Sequence, residues 1–261
     1  MRASIATEAA SSDRLNEDFA AVSSTLAIVL DGAAVPAAAG ARCPHDARWF
    51  SRTLGTRLLV ELSAEPAVWI AEGVARAIDA VATSHAETCE LDDETHPAAA
   101  LAILRELPDE YEYYVLGDST IVFDMAGGQL AVRSDKRLRH LAAKEGERGS
   151  ALADAVKAER TQRNVRGGYW IASMNPDAAA RGLQGHVNRK ELLRAALLSD
   201  GAAAAVERYD LMDWRSALDM MERHGPQAVI QAMREAEKSD PEAVRWPRDN
   251  AYDDATVIFW A

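Results

Sequence analysis

The chain has 261 residues, of which 48% are hydrophobic, and its 41 acidic and 29 basic side chains give a net charge of −12. This length and apolar content suffice for a large core, and the acidic excess argues against nucleic acid or an anionic membrane as the main partner. Because no apolar run could span a bilayer and no secretory leader is recognisable, we expect a cytoplasmic protein.

The first part of the chain predicts buried strands followed by two helices. The stretch RLNEDF (14–19) leads into an increasingly apolar run at 20–30, in which TLAIVLDG (25–32) is typical of a buried strand that ends in a turn. After an Ala- and Pro-rich loop, apolar residues recur at helical spacing from Ala47 to about Ser63 and from Pro66 to about Thr88.

The rest of the chain predicts a second block of strands, more helices and a final strand. Short strands of an antiparallel meander are predicted at 98–106, 111–125 and 129–135, with Gly127 and Gly128 in a tight hairpin that needs positive φ. Further strands are predicted at 167–174, 192–201 and 253–260, and helices at 138–160 and 214–238. Such segregated blocks favour an α+β architecture, and we expect one domain over residues 1–261.

Carboxylates recur at the ends of the predicted strands. They are Glu17, Asp18, Asp31, Asp118, Asp200, Asp253 and Asp254. Strand ends can converge at one edge of stacked sheets, and carboxylate oxygens are the ligands that Mg²⁺ and Mn²⁺ prefer. Each Asp-Gly alone is typical of a turn, so the metal-site hypothesis depends on the whole set.

Five motifs in this order resemble those of a known enzyme family: RLNEDF, LAIVLDG, VLGDST, ALLSDG and DDATVIF. They are similar to motifs of the metal-dependent serine/threonine protein phosphatases of type 2C, the PPM-like family, and suggest a divergent, bacterial-type member. The resemblance covers nearly the whole chain. It implies a four-layer αββα sandwich of two antiparallel β-sheets flanked by helix pairs. It also implies hydrolysis of phosphomonoesters, above all phosphoserine and phosphothreonine on proteins, by a water that bridges two Mn²⁺ or Mg²⁺ ions.

The resemblance also implies roles for individual residues. Asp31 would bridge the two ions, with the Gly32 carbonyl as a neighbouring ligand. Asp200 and Asp253 would complete one ion, and Glu17 would bind the other, with Asp18 orienting its waters. Asp253 is preferred to Asp254 because it stands three residues before Thr256, as in the family's pattern. Asp118 resembles the ligand of a third, weaker metal, and Arg14 the family's phosphate-binding arginine.

The chain departs from the family's pattern at three points. DGAAVP lacks the His-Gly-Gly or Met-Gly-Gly that often follows the first Asp-Gly, so leaving-group protonation falls to water or another residue. GDST replaces Gly-Asp-Ser-Arg, and Arg14 lies one residue closer to the Glu-Asp pair than usual. The basic segment 136–168 lies where the family carries its variable flap, and we interpret it first as a solvated helix.

Three functions therefore stay open. The leading hypothesis is a protein phosphatase, and the second is a catalytically weak or inactive regulatory or binding module on the same fold. The third is a phosphatase for a small metabolite. We expect a monomer that acts on a phosphorylated protein or a small phosphoester.

The cysteines, histidines and Trp170 are interpreted as ordinary structural residues. Cys43 and Cys89 lack metal-ligand spacing. No pair of histidines has the spacing of a zinc site, and each is expected to be a surface or core residue: His45, His85, His96, His140, His186 and His224. Trp170 lies in a predicted strand and is expected in the core rather than at a site.

Overall fold

The computed structural model describes residues 2–33, 43–65, 67–86, 89, 96–138, 158, 160–248 and 250–261. The strands within these ranges are β1 (Ala3–Glu8), β2 (Phe19–Val22), β3 (Leu26–Ala33), β4 (Ala98–Glu106), β5 (Glu110–Leu116), β6 (Thr120–Met125), β7 (Leu130–Arg133), β8 (Leu183–Asn188), β9 (Leu192–Leu198) and β10 (Ala255–Trp260). The α-helices are α1 (Ala47–Ala64), α2 (Ile70–His85), α3 (Asp200–Glu207), α4 (Trp214–His224) and α5 (Gln227–Ser239), and a 3₁₀ helix spans Pro176–Arg181.

The strands form two five-stranded sheets in which every neighbouring pair is antiparallel. The sheet that we call the β3 sheet has the order β2-β3-β4-β5-β8. The other, the β10 sheet, has the order β1-β10-β9-β6-β7. Each sheet therefore combines strands from both halves of the chain.

The two faces of each sheet bury different cores. In β3, Leu26, Ile28 and Leu30 pack against α1 and α2, whereas the alternate residues Ala27 and Val29 face the other sheet, as the two-residue period of a strand requires. In the same way, alternate residues of β10 contribute to a core with α3, α4 and α5 and to the core between the sheets. The result is the expected α+β fold of four layers, helix–sheet–sheet–helix, and this prediction is confirmed.

The segment at 111–125 is two strands rather than one. The chain leaves the β3 sheet at the end of β5, turns at Gly117, where φ is +81°, and enters the β10 sheet as β6. A Cβ on Gly117 would lie 2.7 Å from the Ala100 Cβ, so glycine permits both the turn and this close packing. Asp118 thus lies where the chain crosses between the sheets, and this crossing divides the run predicted at 111–125 into two strands.

One strand was not predicted, and two further predictions need correction. The polar residues before RLNEDF contain a strand, β1, at the edge of the β10 sheet. The segment 167–174 makes only isolated bridges, at Tyr169 and Ala172. The helix predicted at 214–238 is two helices, since Gly225 has φ of +82° and Pro226 follows it.

Several other predictions are confirmed. The hairpin glycines Gly127 and Gly128 have φ of +85° and +81°, and the predicted helices at the two sides of residue 66 correspond to α1 and α2. Most of the helix and flap predicted between 136 and 168, including His140, lies outside the described residues. Among the described helices, none combines the length and the apolarity needed to cross a bilayer.

Candidate metal and active site

The predicted site residues come together at one edge of the sandwich. All of them except Asp18 line a single cavity of about 420 Å³: Arg14, Glu17, Asp31, Gly32, Asp118, Asp200 and Asp253. Asp18 lies behind the cavity wall and is only 6% exposed. The convergence that we inferred from strand ends is therefore present in the structure.

Strand pairing within each sheet accounts for this convergence. In the β3 sheet, Phe19 pairs with Leu30, and one step further the same register sets Asp18 opposite Asp31. In the β10 sheet, Val257 pairs with Leu198, so the residues before β10 lie beside the start of α3, where Asp200 stands. The backbone N–H of Asp200 donates to Asp31 Oδ2 (2.8 Å) and joins the two sheets at this edge.

The two Asp-Gly motifs are sites of close backbone approach rather than turns. Gly32 lies within β3, and a Cβ there would lie 2.5 Å from the Glu17 carbonyl oxygen. Gly201 lies in the first turn of α3, and a Cβ there would collide with the Asp254 carbonyl oxygen. Each glycine thus lets the aspartate before it lie against a neighbouring segment that carries further carboxylates.

Asp253 and Asp254 have different environments. Both carboxylate oxygens of Asp254 accept backbone hydrogen bonds, from the N–H of Ala10 and from the N–H of Glu17, each at 2.7 Å. Asp254 therefore ties the segment after β1 and the segment before β2 to β10. The side chain of Asp253 accepts the Asp254 N–H at Oδ1 (3.0 Å) and is the better candidate ligand of the two.

The carboxylates destabilise one another's charged forms. Burial first, and then the charges of Asp200, Asp18, Asp118 and Asp253, raise the pKa of Asp31 well above its usual range. Burial and the charge of Asp200 likewise raise the pKa of Asp253 strongly, against the lowering effect of Arg208. Burial and Asp254 raise the pKa of Glu17.

These environments fit a divalent metal site. The candidate ligands offer only oxygen atoms, which hard cations prefer. Asp18 Oδ2 is buried and accepts no hydrogen bond from the described residues. Since several carboxylates share one enclosed space, a bound cation would offset both the cost of burying their charges and the repulsion between them.

Two arginines accompany the carboxylates. Arg14, which sequence reasoning identified, is exposed at the rim of the cavity. Its positive charge partly opposes the rise in the pKa of Glu17. Arg208 lies at the end of α3 and acts on Asp253. Sequence reasoning missed Arg208, because no motif marks an arginine seven residues after the second Asp-Gly.

Part of the remaining wall of the cavity is apolar. Ala100, Leu138 and Ile171 line it; Ala100 and Ile171 belong to a small buried apolar cluster, and the half-buried Leu138 packs against that cluster. Trp170 does not line the cavity. It is half-buried, packs against the core of α1 and α2, and lies beneath the Arg181 guanidinium, 5.0 Å from the ring centroid, so it lies at the margin of the core rather than at the site.

A second cluster of potential metal ligands lies outside this cavity. Cys43, His45, His85 and Cys89 bring one donor atom each to within 4.8 Å of one another. From the sequence, these four residues were treated separately, whereas the structure brings them together. Sequence reasoning compared cysteines with cysteines and histidines with histidines, and it missed the mixed spacings Cys-x-His and His-x₃-Cys.

The fold is that of the PPM serine/threonine phosphatases, as the resemblance in sequence implied. The chain is similar to the PPM Ser-Thr phosphatase MsPP from Mycobacterium smegmatis, solved in complex with cacodylate, with a TM-score of 0.58 and 16% identity over 100% of this chain and 97% of that one. It is also similar to the Mycobacterium tuberculosis serine/threonine phosphatase PstP/Ppp, with a TM-score of 0.60 and 15% identity over 99% of this chain and 97% of that one.

Another structure, the catalytic domain of PstP in complex with 2 manganese ions, has a TM-score of 0.56 and 15% identity over 99% of this chain and 96% of that one. No protein-family model matches the sequence, and no curated protein matches it. The similarity is therefore one of fold, at sequence identities that leave the chemistry to be argued from the site.

Proposed function

We propose that the chain is a metal-dependent hydrolase of phosphomonoesters, with phosphoserine and phosphothreonine on proteins as its substrates. The observation that carries this proposal is the convergence of carboxylates from both sheets on one cavity of about 420 Å³. The fold shared with the PPM phosphatases and the manganese ions bound to PstP support it.

The ligand assignment follows the environments of the carboxylates. Asp31 would be shared between two Mn²⁺ or Mg²⁺ ions, with the Gly32 carbonyl beside it. Asp31 is the best candidate for this role because it is buried and because the charges of the surrounding carboxylates act on it. Asp200 and Asp253 would hold one ion and Glu17 the other. Asp18 would support them from behind, and Asp118 would hold a weaker third ion. Bound ions would supply the Lewis acidity that activates water and neutralises a phosphoryl group.

The protein's own groups would bind and orient the substrate. The exposed guanidinium of Arg14 at the rim can reach an incoming phosphate and hold two of its oxygens at once. The apolar wall at Ala100 and Ile171 would exclude water from the far side of the phosphate. No histidine is among the described residues that line the cavity, so the leaving alkoxide would take its proton from solvent.

The experiment that tests this proposal is hydrolysis of an aryl phosphate and a phosphothreonine peptide with Mn²⁺, before and after chelation. We expect turnover of both, a higher kcat/KM for the peptide, and loss of both activities on chelation. Preference for the aryl phosphate would favour a small-molecule phosphatase. Absence of turnover at saturating Mn²⁺ would contradict the proposal and favour a regulatory module.

Two variants make the assay specific for this site. Asp31→Ala should reduce turnover at least about a hundredfold, because it removes the shared ligand. Asp109→Ala is the matched control, since Asp109 is exposed in the β4–β5 turn, far along β4 from the Ala100 that pairs with Asp31. Equal loss in both variants would point to misfolding, and equal retention in both would point to a contaminating activity.

A further inference from the structure

The cluster of Cys43, His45, His85 and Cys89 lies where the ends of two helices meet. Cys43 and His45 stand just before α1, whereas His85 is the last residue of α2 and Cys89 follows it. The backbone N–H of Cys89 donates to the His85 carbonyl (3.2 Å). This hydrogen bond holds Cys89 beside the end of α2, and the donor atoms of His85 and Cys89 lie close to those of Cys43 and His45.

Three of the five measured separations between donor atoms lie close to those of a tetrahedral zinc shell, and the two that involve His85 are shorter. With Zn–S of about 2.3 Å and Zn–N of about 2.0–2.1 Å, a tetrahedron has edges of about 3.8 Å (S to S), about 3.6 Å (S to N) and about 3.3 Å (N to N). Cys43 Sγ lies 3.7 Å from Cys89 Sγ. The sulfur–nitrogen distances are 3.1 Å (Cys43 to His85 Nε2), 3.5 Å (Cys43 to His45 Nδ1) and 3.9 Å (Cys89 to His45 Nδ1). The two nitrogens are 2.7 Å apart, shorter than in a zinc shell.

Simpler explanations account for only part of the cluster. A hydrogen bond between His45 and His85 would explain the short nitrogen–nitrogen distance but not the two sulfur atoms beside it. A disulfide between Cys43 and Cys89 requires about 2.05 Å between the sulfurs, whereas these two sulfurs are 3.7 Å apart and form no disulfide. A disulfide would also not explain why the imidazoles of His45 and His85 both lie beside the two sulfurs.

The surroundings hold the donors in position. The Trp49 ring packs on His45, with 4.1 Å between centroids, and on His85, with 5.1 Å. His85 is 1% exposed, and the other three residues are half-buried. The four donors include no carboxylate, and thiolate with imidazole favours zinc over the Mn²⁺ or Mg²⁺ expected at the acidic cavity.

We propose that Cys43, His45, His85 and Cys89 bind one zinc ion in a structural site separate from the carboxylate cavity. Four protein ligands leave no open position, which is the arrangement of structural rather than catalytic zinc. The ion would join the beginning of α1 to the end of α2. It would also fix Cys43, the first described residue after β3, the strand that carries Asp31.

Metal analysis and cobalt spectroscopy test this proposal without reference to phosphatase activity. The wild-type chain, purified under reducing conditions without chelator, should retain about one zinc per chain. Replacement of zinc by Co²⁺ should give the thiolate charge-transfer band and the intense visible bands of tetrahedral cobalt. Absence of both the zinc and these bands would overturn the proposal.

Variants assign the ion to these residues. Cys43→Ser and Cys89→Ser should lose the thiolate band and most of the zinc. Asp31→Asn, which changes the acidic cavity, and His224→Gln, at an exposed histidine of α4, should keep both. Zinc that stays with the cysteine variants but leaves Asp31→Asn would assign it to the carboxylate cavity and overturn the proposal.

If the cysteine variants fail to fold, a measurement on the wild-type chain tests the same assignment. Titration of the two thiols with an organomercurial should release about one zinc per chain in step with modification, as detected with a colorimetric chelator. Thiols that react without release of zinc would overturn the proposal. Because zinc content does not depend on turnover, failure here is distinguishable from failure of the proposed function.

Discussion

Replacement of the buried Asp18 carboxyl by its isosteric amide, Asp18→Asn, should stabilise the metal-free protein more at alkaline than at acidic pH. Burial raises the pKa of Asp18 to about 7 from its ordinary 3.8, outweighing hydrogen bonds with Thr256 and Ser199, and the charges of Asp254 and Asp200 add to the rise. In the absence of metal, the folded protein therefore holds a proton on Asp18 over a pH range in which the unfolded chain has lost it.

The sign and size of the effect follow from linkage. Because the folded-state pKa exceeds the unfolded value, the free energy of unfolding falls as the pH rises through this interval. A difference of about 3 pKa units corresponds to roughly 4 kcal/mol, of which roughly 2–3 kcal/mol develops between pH 5 and pH 8. The amide of Asp18→Asn does not titrate, so this variant does not undergo this fall in the free energy of unfolding. Among the described residues Asp18 Oδ2 has no hydrogen-bond partner, and an amide N–H placed there costs about 1–3 kcal/mol, but this cost is the same at both pH values and cancels.

The assay is thermal denaturation in the presence of EDTA at pH 5 and at pH 8, for the wild type, Asp18→Asn and the surface control Asp109→Asn. Between the two pH values, the Tm of Asp18→Asn relative to wild type should rise by roughly 5–10 °C, whereas the control should follow the wild type. An equal pH dependence in all three proteins would show that Asp18 titrates at its ordinary pKa, which would refute the inferred environment.

Further variants test other parts of the site. Asp200→Ala should abolish turnover while the fold stays intact, and wild-type rates at saturating Mn²⁺ would mean that the ligands are misassigned. Arg14→Lys should lower kcat/KM roughly thirtyfold, about 2 kcal/mol, with metal affinity little changed; unchanged kinetics in both Arg14→Lys and Arg14→Ala would place phosphate recognition elsewhere. Gly32→Ala should destabilise the fold by roughly 1–3 kcal/mol and impair metal-dependent turnover, because its Cβ would lie 2.5 Å from the Glu17 carbonyl. Gly128→Ala, in an open hairpin with φ of +81°, should affect stability alone. The same loss of turnover in both glycine variants would show that the effect of Gly32→Ala is a general loss of stability and not an effect on the site. No phosphoenzyme should accumulate, since the proposed nucleophile is water, and trapping one by acid quench would contradict this.

The convergence of the carboxylates could be predicted from the sequence because these residues stand beside strand ends, and strands of a sandwich end at a common edge. Asp31 and Asp200 are marked by the glycines that follow them. The physical reason for those glycines differs from the prediction, since each permits close backbone approach where a turn was expected. That distinction depends on strand register, which no local pattern contains.

Other features could not be predicted from local patterns. The edge strand β1 has only one buried residue, Ala6, so it shows no apolar alternation. The run at 111–125 is apolar on both sides of Asp118, because both sheets bury both faces, and the change of sheet leaves no mark except Gly117. Arg208 and the Cys–His cluster depend on contacts between segments far apart in sequence, which only the packing of the helices creates.

The most direct test of the metal-dependent phosphatase is a Mn²⁺ titration of the metal-free protein, with bound Mn²⁺ measured by electron paramagnetic resonance and phosphate release from a phosphothreonine peptide measured in the same samples. Turnover should rise with bound Mn²⁺ and reach its plateau at about two ions per chain, and Asp31→Ala should lose both the tight binding and the turnover. Phosphate release that does not depend on bound Mn²⁺, or full Mn²⁺ occupancy without release, would contradict the proposed function.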